Sequence, residues 1–104
     1  MAIVADIGLK RIIANLRAIE PDIRAKGVCK LWIFGSRARG DARPDSDLDI
    51  LIDTDPTRPF DWKNLTAVSL ACQDATGLAV QISMMSELKP RFADRIADDL
   101  VEVF

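Results

Sequence analysis

Two segments in the first half of the chain have the hydrophobic patterns of β-strands. Residues Val28 to Phe34 (VCKLWIF) are almost continuously apolar and stop at Gly35, which predicts a central strand covered on both faces. Residues Asp47 to Asp53 (DLDILID) alternate between apolar and polar positions, which predicts a half-buried strand. The residues between these strands are rich in Gly, Arg, Asp and Pro. They predict a short helical turn and a loop, and we expect the functional site to form there.

Two longer segments before and after these strands have the spacing of helices. The first has apolar residues at intervals of three to five and is expected to end where Pro21 interrupts it. Its apolar positions are Ile3, Ile7, Ile12, Leu16 and Ile19. The second is expected to run from about Phe60 to Ala75, to stop at Gly77 and to bury one face. The residues expected near that face are Trp62, Leu65, Val68 and Cys72.

A third strand and a closing helix complete the pattern. Residues Leu78 to Met84 (LAVQISM) predict the strand. The last segment has helical spacing, with Pro90 tolerable only near its start. Its apolar positions are Leu88, Phe92, Ile96, Leu100 and Val103. The resulting order, α-β-(short α)-β-α-β-α, predicts an α+β fold in which a small mixed β-sheet is flanked by helices.

Length and composition limit the class of protein. With 104 residues, of which 49% are hydrophobic and 29% charged, the chain is expected to form one globular domain over residues 1–104. It has no apolar run of the roughly 18 residues that span a bilayer, and residues 1–10 lack the regions of a signal peptide. We therefore expect a cytoplasmic protein that does not contact a membrane. The chain has no histidine, so its polar chemistry must come from carboxylates, arginines, hydroxyls or a hard metal ion.

The charge balance argues against nucleic acid as a partner. The formal net charge is −2, so we expect no direct binding to a nucleic-acid backbone. Arg37, Arg39 and Arg43 form one local basic cluster, and anion binding should be confined to it. The only two cysteines, Cys29 and Cys72, are interpreted as small buried apolar residues and are assigned no redox role.

Gly35 and Ser36 come directly after the first strand and predict a phosphate-binding turn. Glycine lets a ligand approach the backbone closely, and the N–H groups that open a short turn are free to point at an anion. Ser36 adds a hydroxyl donor, and Arg37 or Arg39 could add charge-assisted hydrogen bonds to phosphate oxygens. By itself, a Gly-Ser turn after a strand is more often an ordinary structural turn.

Asp47 and Asp49 are candidate metal ligands. On a strand, residues two apart project from the same face with their Cα atoms about 6.5 to 7 Å apart. Two like charges this close favour a cation between them, and carboxylates suit Mg²⁺, which takes one or two protein carboxylates plus substrate phosphates. The structural alternative is a solvent-facing acidic strip on an edge strand.

The segment GSRARGDARPDSDLDILI, from Gly35 to Ile52, resembles the signature of the minimal nucleotidyltransferases, a family in the DNA-polymerase-beta-like superfamily. The matching positions are Gly35, Ser36, Ala38, Arg39, Gly40, Ser46, Asp47 and Asp49. The resemblance implies a nucleotidyltransferase fold whose Gly-Ser turn holds the terminal phosphates of a nucleoside triphosphate. The nucleotide-binding residues expected here are Gly35, Ser36, Arg37, Arg39 and Ser46. The resemblance also implies that Asp47 and Asp49 bind Mg²⁺ and catalyse transfer of a nucleoside monophosphate to an acceptor hydroxyl.

The sequence departs from this family at one catalytic position. The resemblance implies a third acidic residue on the later strand, where this chain has Gln81 between Val80 and Ile82. A glutamine carbonyl can coordinate a cation, but it is neutral and cannot accept a proton as a carboxylate does. Asp53 lies too far along its strand to replace the missing acid, and Glu87 lies beyond the predicted third strand.

Three functions remain open at this point, all implied by the resemblance. The first is an Mg²⁺-dependent enzyme that transfers AMP from ATP to a hydroxyl of a partner protein, as the antitoxin beside a helical HEPN-type toxin. The second is a catalytically impaired antitoxin that binds the toxin or a nucleotide, which Gln81 favours. The third is a nucleotide-sensing or structural subunit of a larger transferase. Members of this family can modify their toxin on tyrosine, and this chain has no tyrosine of its own to modify.

Overall fold

The computed structural model describes residues 7–104, so Ile3 of the predicted first helix lies outside the described residues. Within this range the chain forms five α-helices and four β-strands. The helices are α1 (Leu9–Ala18), α2 (Glu20–Ala25), α3 (Gly35–Arg39), α4 (Trp62–Thr76) and α5 (Pro90–Ile96). The strands are β1 (Val28–Phe34), β2 (Leu48–Thr54), β3 (Val80–Met84) and β4 (Val101–Glu102), and two 3₁₀ turns cover Met85–Glu87 and Ala97–Asp99.

The four strands form one mixed sheet in the order β3-β2-β1-β4. Strand β1 pairs antiparallel with both β2 and β4, whereas β2 and β3 are parallel. Parallel neighbours need a crossover connection, which α4 provides between β2 and β3. The mixed sheet with flanking helices confirms the predicted α+β fold.

The two faces of the sheet carry separate hydrophobic clusters. The larger cluster joins α1, α2 and α4 to one face, and its fully buried side chains include Ile12, Leu16, Ile50 and Val68. The smaller cluster lies on the other face under α5 and contains Phe34, Leu51 and Ile96. Ile50 and Leu51 are adjacent on β2 and both are fully buried, because successive strand residues point to opposite faces. The strand β2 is therefore covered on both sides.

The sequence patterns located the two inner strands closely. Strand β1 has the predicted bounds, and β2 begins one residue later than predicted. The short helix α3 occupies the predicted turn between them, and α4 ends at Gly77, which has a left-handed φ of 72°. Because β2 lies between β1 and β3, the alternative that placed Asp49 on an edge strand is wrong.

Pro21 does not simply end the first helix. The helix α1 stops at Ala18, and a second helix, α2, begins at Glu20 with the proline in its first turn. Proline fits there because the first N–H groups of a helix have no intrahelical acceptor to lose. The N-terminal segment therefore has two helices where one was predicted.

The predicted closing helix is wrong at its C-terminal end. Helix α5 ends at Ile96, and the chain then forms β4 beside β1. The N–H of Val103 donates to the carbonyl of Leu31 at 2.8 Å, and the N–H of Leu31 donates to the carbonyl of Phe104 at 3.0 Å. Leu100 packs in the smaller cluster and Val103 in the larger one, so their helical spacing is coincidental. This strand pairing depends on residues distant in sequence, which a local pattern does not reveal.

Trp62 was also placed on the wrong face by its spacing. Its side chain is 70% exposed and lies beside the ammonium of Lys63, 5.9 Å from the ring centroid. The buried residues of α4 are Val68, Cys72 and Thr76, all in the later turns of the helix. Only those later turns pack deeply on the sheet, so the first residue of the helix stays in solvent.

The two cysteines differ in burial, although both were expected to be buried. Cys72 is buried, which raises the pKa of its thiol to about 12, and Cys29 is half-buried; both are free thiols. Over residues 7–104, no helix is long and apolar enough to cross a bilayer.

Candidate active site

The turn after β1 brings Gly35 against the carboxylate of Asp49. Phe34 pairs with Asp49 across the antiparallel ladder of β1 and β2, so the next residue of the chain lies beside that aspartate. Gly35 has a left-handed φ of 77°, and a Cβ atom there would overlap Oδ2 of Asp49. Only glycine satisfies both constraints at low cost. The backbone of the turn and the carboxylate are therefore in direct contact.

The two aspartates occupy different environments at the start of β2. Asp47 is exposed in the loop before the strand, whereas Asp49 is half-buried on the strand. Burial and the nearby charge of Asp47 raise the pKa of Asp49, and Arg39 partly opposes this shift. A cation between the carboxylates would relieve both unfavourable effects.

The residues present fit a magnesium ion. Among residues 7–104, no three acidic or cysteine side chains are grouped so that they could enclose a metal by themselves. Mg²⁺ seldom needs such a cage, because it binds through one or two carboxylates together with substrate phosphates. Asp47 and Asp49 provide two carboxylates, and a cavity lined by Gly35, Ser36 and Asp49 lies beside them.

Arg39 is exposed and links α3 to the turn after α5. Its Nη1 donates to Oδ2 of Asp99 at 2.8 Å, and its Nε donates to Oδ2 of Asp41 at 3.1 Å. These two hydrogen bonds raise the pKa of Arg39. The side chain also lines the cavity that contains Asp49, so it lies at the predicted site but is already paired with two acids.

Arg37 and Ser46 fix the path of the loop that leads to Asp47. The Arg37 side chain is only 4% exposed, and its Nη2 donates to the carbonyls of Pro44 and Ser46 at 3.2 and 2.9 Å. The hydroxyl of Ser46 accepts a hydrogen bond of 2.9 Å from the backbone N–H of Arg43. Neither side chain lines the cavity beside Asp49. Their contacts hold the loop, and the direct nucleotide contact expected of them stays a prediction.

A cavity of about 380 Å³ opens between α3, the end of β1 and α5. It is lined by Phe34, Gly35, Ser36, Arg39, Asp49, Phe92, Arg95, Ile96 and Asp99. Of these residues, Gly35, Ser36, Arg39 and Asp49 are predicted site residues, whereas the other five are not. Arg95 follows Phe92 by three residues on α5, so helical spacing alone could have put the two on one face.

Gln81 lies directly beside Asp49. The two residues are partners in the parallel ladder between β2 and β3, so their side chains leave the same face of the sheet. Gln81 is exposed, because β3 is the edge strand. Glu87 lines a different cavity, of about 460 Å³, together with Leu65 and Lys89. The residue next to Asp49 on the third strand is therefore a neutral amide.

The mixed sheet, with a glycine turn facing an aspartate on the next strand, is the fold of a nucleotidyltransferase. Residues 19–104 match the family described as "Polymerase beta, Nucleotidyltransferase", and the chain belongs to this family. The assignment confirms the family that the segment beginning at Gly35 indicated.

Individual relatives agree with the assignment. The chain is 32% identical over 103 residues to the protein adenylyltransferase MntA of Thermococcus cleftensis, covering 96% of this chain and 100% of that protein. A solved structure provisionally described as a minimal nucleotidyltransferase has a TM-score of 0.79 at 26% identity, covering 94% of this chain and 98% of that chain. A chain in the complex of tri-AMPylated Shewanella oneidensis HEPN toxin with MNT antitoxin has a TM-score of 0.66 at 11% identity. That match covers 92% of this chain and 71% of that chain, and it shows a shared fold.

Proposed function

We propose that this protein is an Mg²⁺-dependent nucleotidyltransferase that transfers AMP from ATP to a hydroxyl of a partner protein. The observation that carries the proposal is the cavity beside Asp49, which is lined by the Gly35 and Ser36 turn and by a carboxylate whose pKa is raised. The name of the Thermococcus cleftensis relative, a protein adenylyltransferase, supports AMP as the transferred group.

The reaction replaces a phosphoanhydride bond of ATP with a phosphoester bond to the acceptor. The oxygen of the acceptor hydroxyl forms a bond to the α-phosphorus of ATP, the bond from that phosphorus to the pyrophosphate oxygen breaks, and the hydroxyl proton is released to water. Asp47 and Asp49 would hold Mg²⁺, which neutralises charge on the phosphates when it is bound. Backbone N–H groups at Gly35 and the hydroxyl of Ser36 donate to the terminal phosphates. Catalysis in this scheme comes from positioning and charge, since no histidine is available as a base.

The proposed partner is a helical toxin of the HEPN type. The solved complex that shares this fold pairs an MNT antitoxin with an AMPylated HEPN toxin, which motivates the same role for this chain. In that role the chain is the antitoxin, and AMP is attached to the toxin. The chain contains no tyrosine, so a tyrosine acceptor would have to belong to the partner.

Gln81 favours a second candidate function, an antitoxin that acts by binding alone. The amide beside Asp49 carries no charge and accepts no proton from the attacking hydroxyl. In this alternative the chain keeps affinity for the nucleotide or the toxin but transfers AMP slowly or not at all.

One experiment separates the two functions. The purified chain is mixed with Mg²⁺, ATP labelled in the α-phosphate and the protein encoded by the neighbouring gene, and label on that protein is measured. The enzyme proposal expects label that is lost in Asp47→Ala and Asp49→Ala and retained in Asp53→Ala, an acid further along the same strand. No label with the natural sequence, but label with Gln81→Asp, would instead support the binding function.

A further inference from the structure

Helix α5 carries Arg95 into the cavity beside Asp49. The helix is held on the sheet by Ile96, which is buried, and by Phe92, whose ring meets Phe34 edge to face at a centroid distance of 5.8 Å. Arg95 lies between these two anchors on the same helix and lines the cavity together with Gly35. Its side chain is exposed, so a ligand entering the cavity can reach it.

The other arginines near the site are already engaged. Arg39 is hydrogen-bonded to Asp41 and Asp99, and the guanidinium of Arg37 is buried against loop carbonyls. Within residues 7–104, Arg95 has neither a hydrogen bond nor an ion pair, although it shares the cavity with two acids. It is therefore the cavity-lining cation whose donors are available to an incoming anion.

The acidic residues of the cavity make an additional cation necessary if a polyphosphate is to bind there. Asp49 and Asp99 both line it, and their carboxylates repel an anionic ligand. Arg39 offsets Asp99, and the two charges of a magnesium ion would offset Asp47 and Asp49 together, so no surplus of positive charge is left for the terminal phosphates. A guanidinium supplies that charge with several donors in a planar fork suited to phosphate oxygens.

We propose that Arg95 binds the terminal phosphates of the nucleoside triphosphate and the pyrophosphate released from it. The inference rests on the proposed function, since it places the terminal phosphates at the Gly35 and Ser36 turn. Arg95 lines the same cavity as that turn, so its guanidinium can contact phosphates held there. In this arrangement the transferred phosphate would lie next to Asp49. A nucleoside monophosphate, which lacks the terminal phosphates, should not depend on Arg95.

Binding of ligands to the full chain tests this assignment. Isothermal titration calorimetry with Mg²⁺ compares a non-hydrolysable ATP analogue with AMP, for the natural sequence, Arg95→Gln and Arg91→Gln. Arg91 is the matched control, because it is an exposed arginine on α5 that does not line the cavity. We expect Arg95→Gln to weaken the ATP analogue about tenfold or more. Arg91→Gln should stay within about twofold, as surface substitutions usually do.

Other results of this experiment would overturn the role of Arg95. Equal affinity of the two variants for the ATP analogue would overturn the role of Arg95 and leave the proposed function standing. An equal loss for the ATP analogue and for AMP would overturn it as well, because the contact would then lie at the transferred group. Failure of the natural sequence to bind the analogue would overturn both proposals. A thermal midpoint of Arg95→Gln equal to that of Arg91→Gln excludes misfolding as the cause of any loss.

Discussion

Two constraints favour glycine at position 35: the left-handed φ and the close approach of the Asp49 carboxylate. Substitutions at two glycines can separate them. Gly77 has nearly the same left-handed φ, 72° against 77°, but a Cβ there meets nothing within 4 Å. We expect Gly77→Ala to lower the free energy of unfolding by about 1 kcal/mol, the cost of the backbone conformation alone. Gly35→Ala should lower it by roughly 2 kcal/mol or more, because the side chain of Asp49 must also move. Chemical denaturation of both variants measures the difference.

The same pair of variants should differ in ligand binding. Gly77 ends α4 and does not line the cavity, so its variant should bind Mg²⁺ and ATP normally below its unfolding transition. Gly35→Ala should bind both weakly, because its methyl group would overlap the Asp49 carboxylate and displace it. Equal stability losses in the two variants would contradict the close contact between Gly35 and Asp49.

Asp49 should make stability depend on pH in metal-free buffer. Its pKa in the folded chain is raised above the ordinary value of 3.8, so the folded state holds the proton more tightly than the unfolded state. The resulting stabilisation is present below pH 3.8 and is lost as the pH rises through the raised pKa. Asp49→Asn removes the ionisation, so its thermal midpoint should equal or exceed that of the natural sequence at neutral pH. The difference between the two thermal midpoints should disappear at acidic pH, where Asp49 of the natural sequence is protonated.

Magnesium provides the control for this effect. If Asp49 is a ligand, Mg²⁺ should raise the midpoint of the natural sequence and leave that of Asp49→Asn unchanged. A variant that is less stable than the natural chain at neutral pH without metal would show that the ionised carboxylate makes stabilising contacts in the fold.

At the scale of elements, α4 depends on the cap at its N-terminus. Oδ1 of Asp61 accepts hydrogen bonds from the N–H groups of Lys63 and Asn64, and Oδ1 of Asn64 accepts one from the N–H of Asp61. We expect Asp61→Ala to lower the free energy of unfolding by about 1 kcal/mol. Asp74→Ala, an exposed acid near the other end of the helix, should have no such cost. Urea denaturation compares the two, and equal effects would argue against the cap.

The elements that the sequence predicted well are those with local signals. Strand β1 is a continuous apolar run that ends at a glycine, and α4 has a glycine stop, so both are defined by neighbouring residues. Strand β4 has no such signal, because it exists through hydrogen bonds between Val103 and Leu31, residues far apart along the chain. Local periodicity could not distinguish that strand from a continued helix.

The candidate site also combines residues that the sequence could predict with residues that it could not. The resemblance placed Gly35 and Asp49 together, and the structure brings them into contact. It could not indicate that the guanidinium of Arg37 turns inward to the loop carbonyls, since this depends on the path of the loop. Nor could it assign Arg95, whose position depends on how α5 docks on the sheet.

At the scale of the whole molecule, the two hydrophobic clusters should unfold together. Both use the inner strands, and Ile50 and Leu51 are adjacent on β2 but belong to different clusters. We expect calorimetry to give a single transition whose calorimetric and van't Hoff enthalpies agree. Ile50→Ala and Leu51→Ala should each lower the stability of that transition by about 2–5 kcal/mol. An early, separate transition in the Leu51 variant would contradict one cooperative domain.

The position of Gln81 at the open edge of the sheet has a consequence for how this protein can evolve. An exposed residue on a strand that is paired on one side contributes little packing, so acid and amide can be exchanged there with little effect on folding. Asp49 lies on an inner strand and packs against Gly35, so a larger side chain there would require repacking. Of the three positions proposed to face the metal, that of Gln81 is therefore the one at which the side chain can change with the least effect on the scaffold.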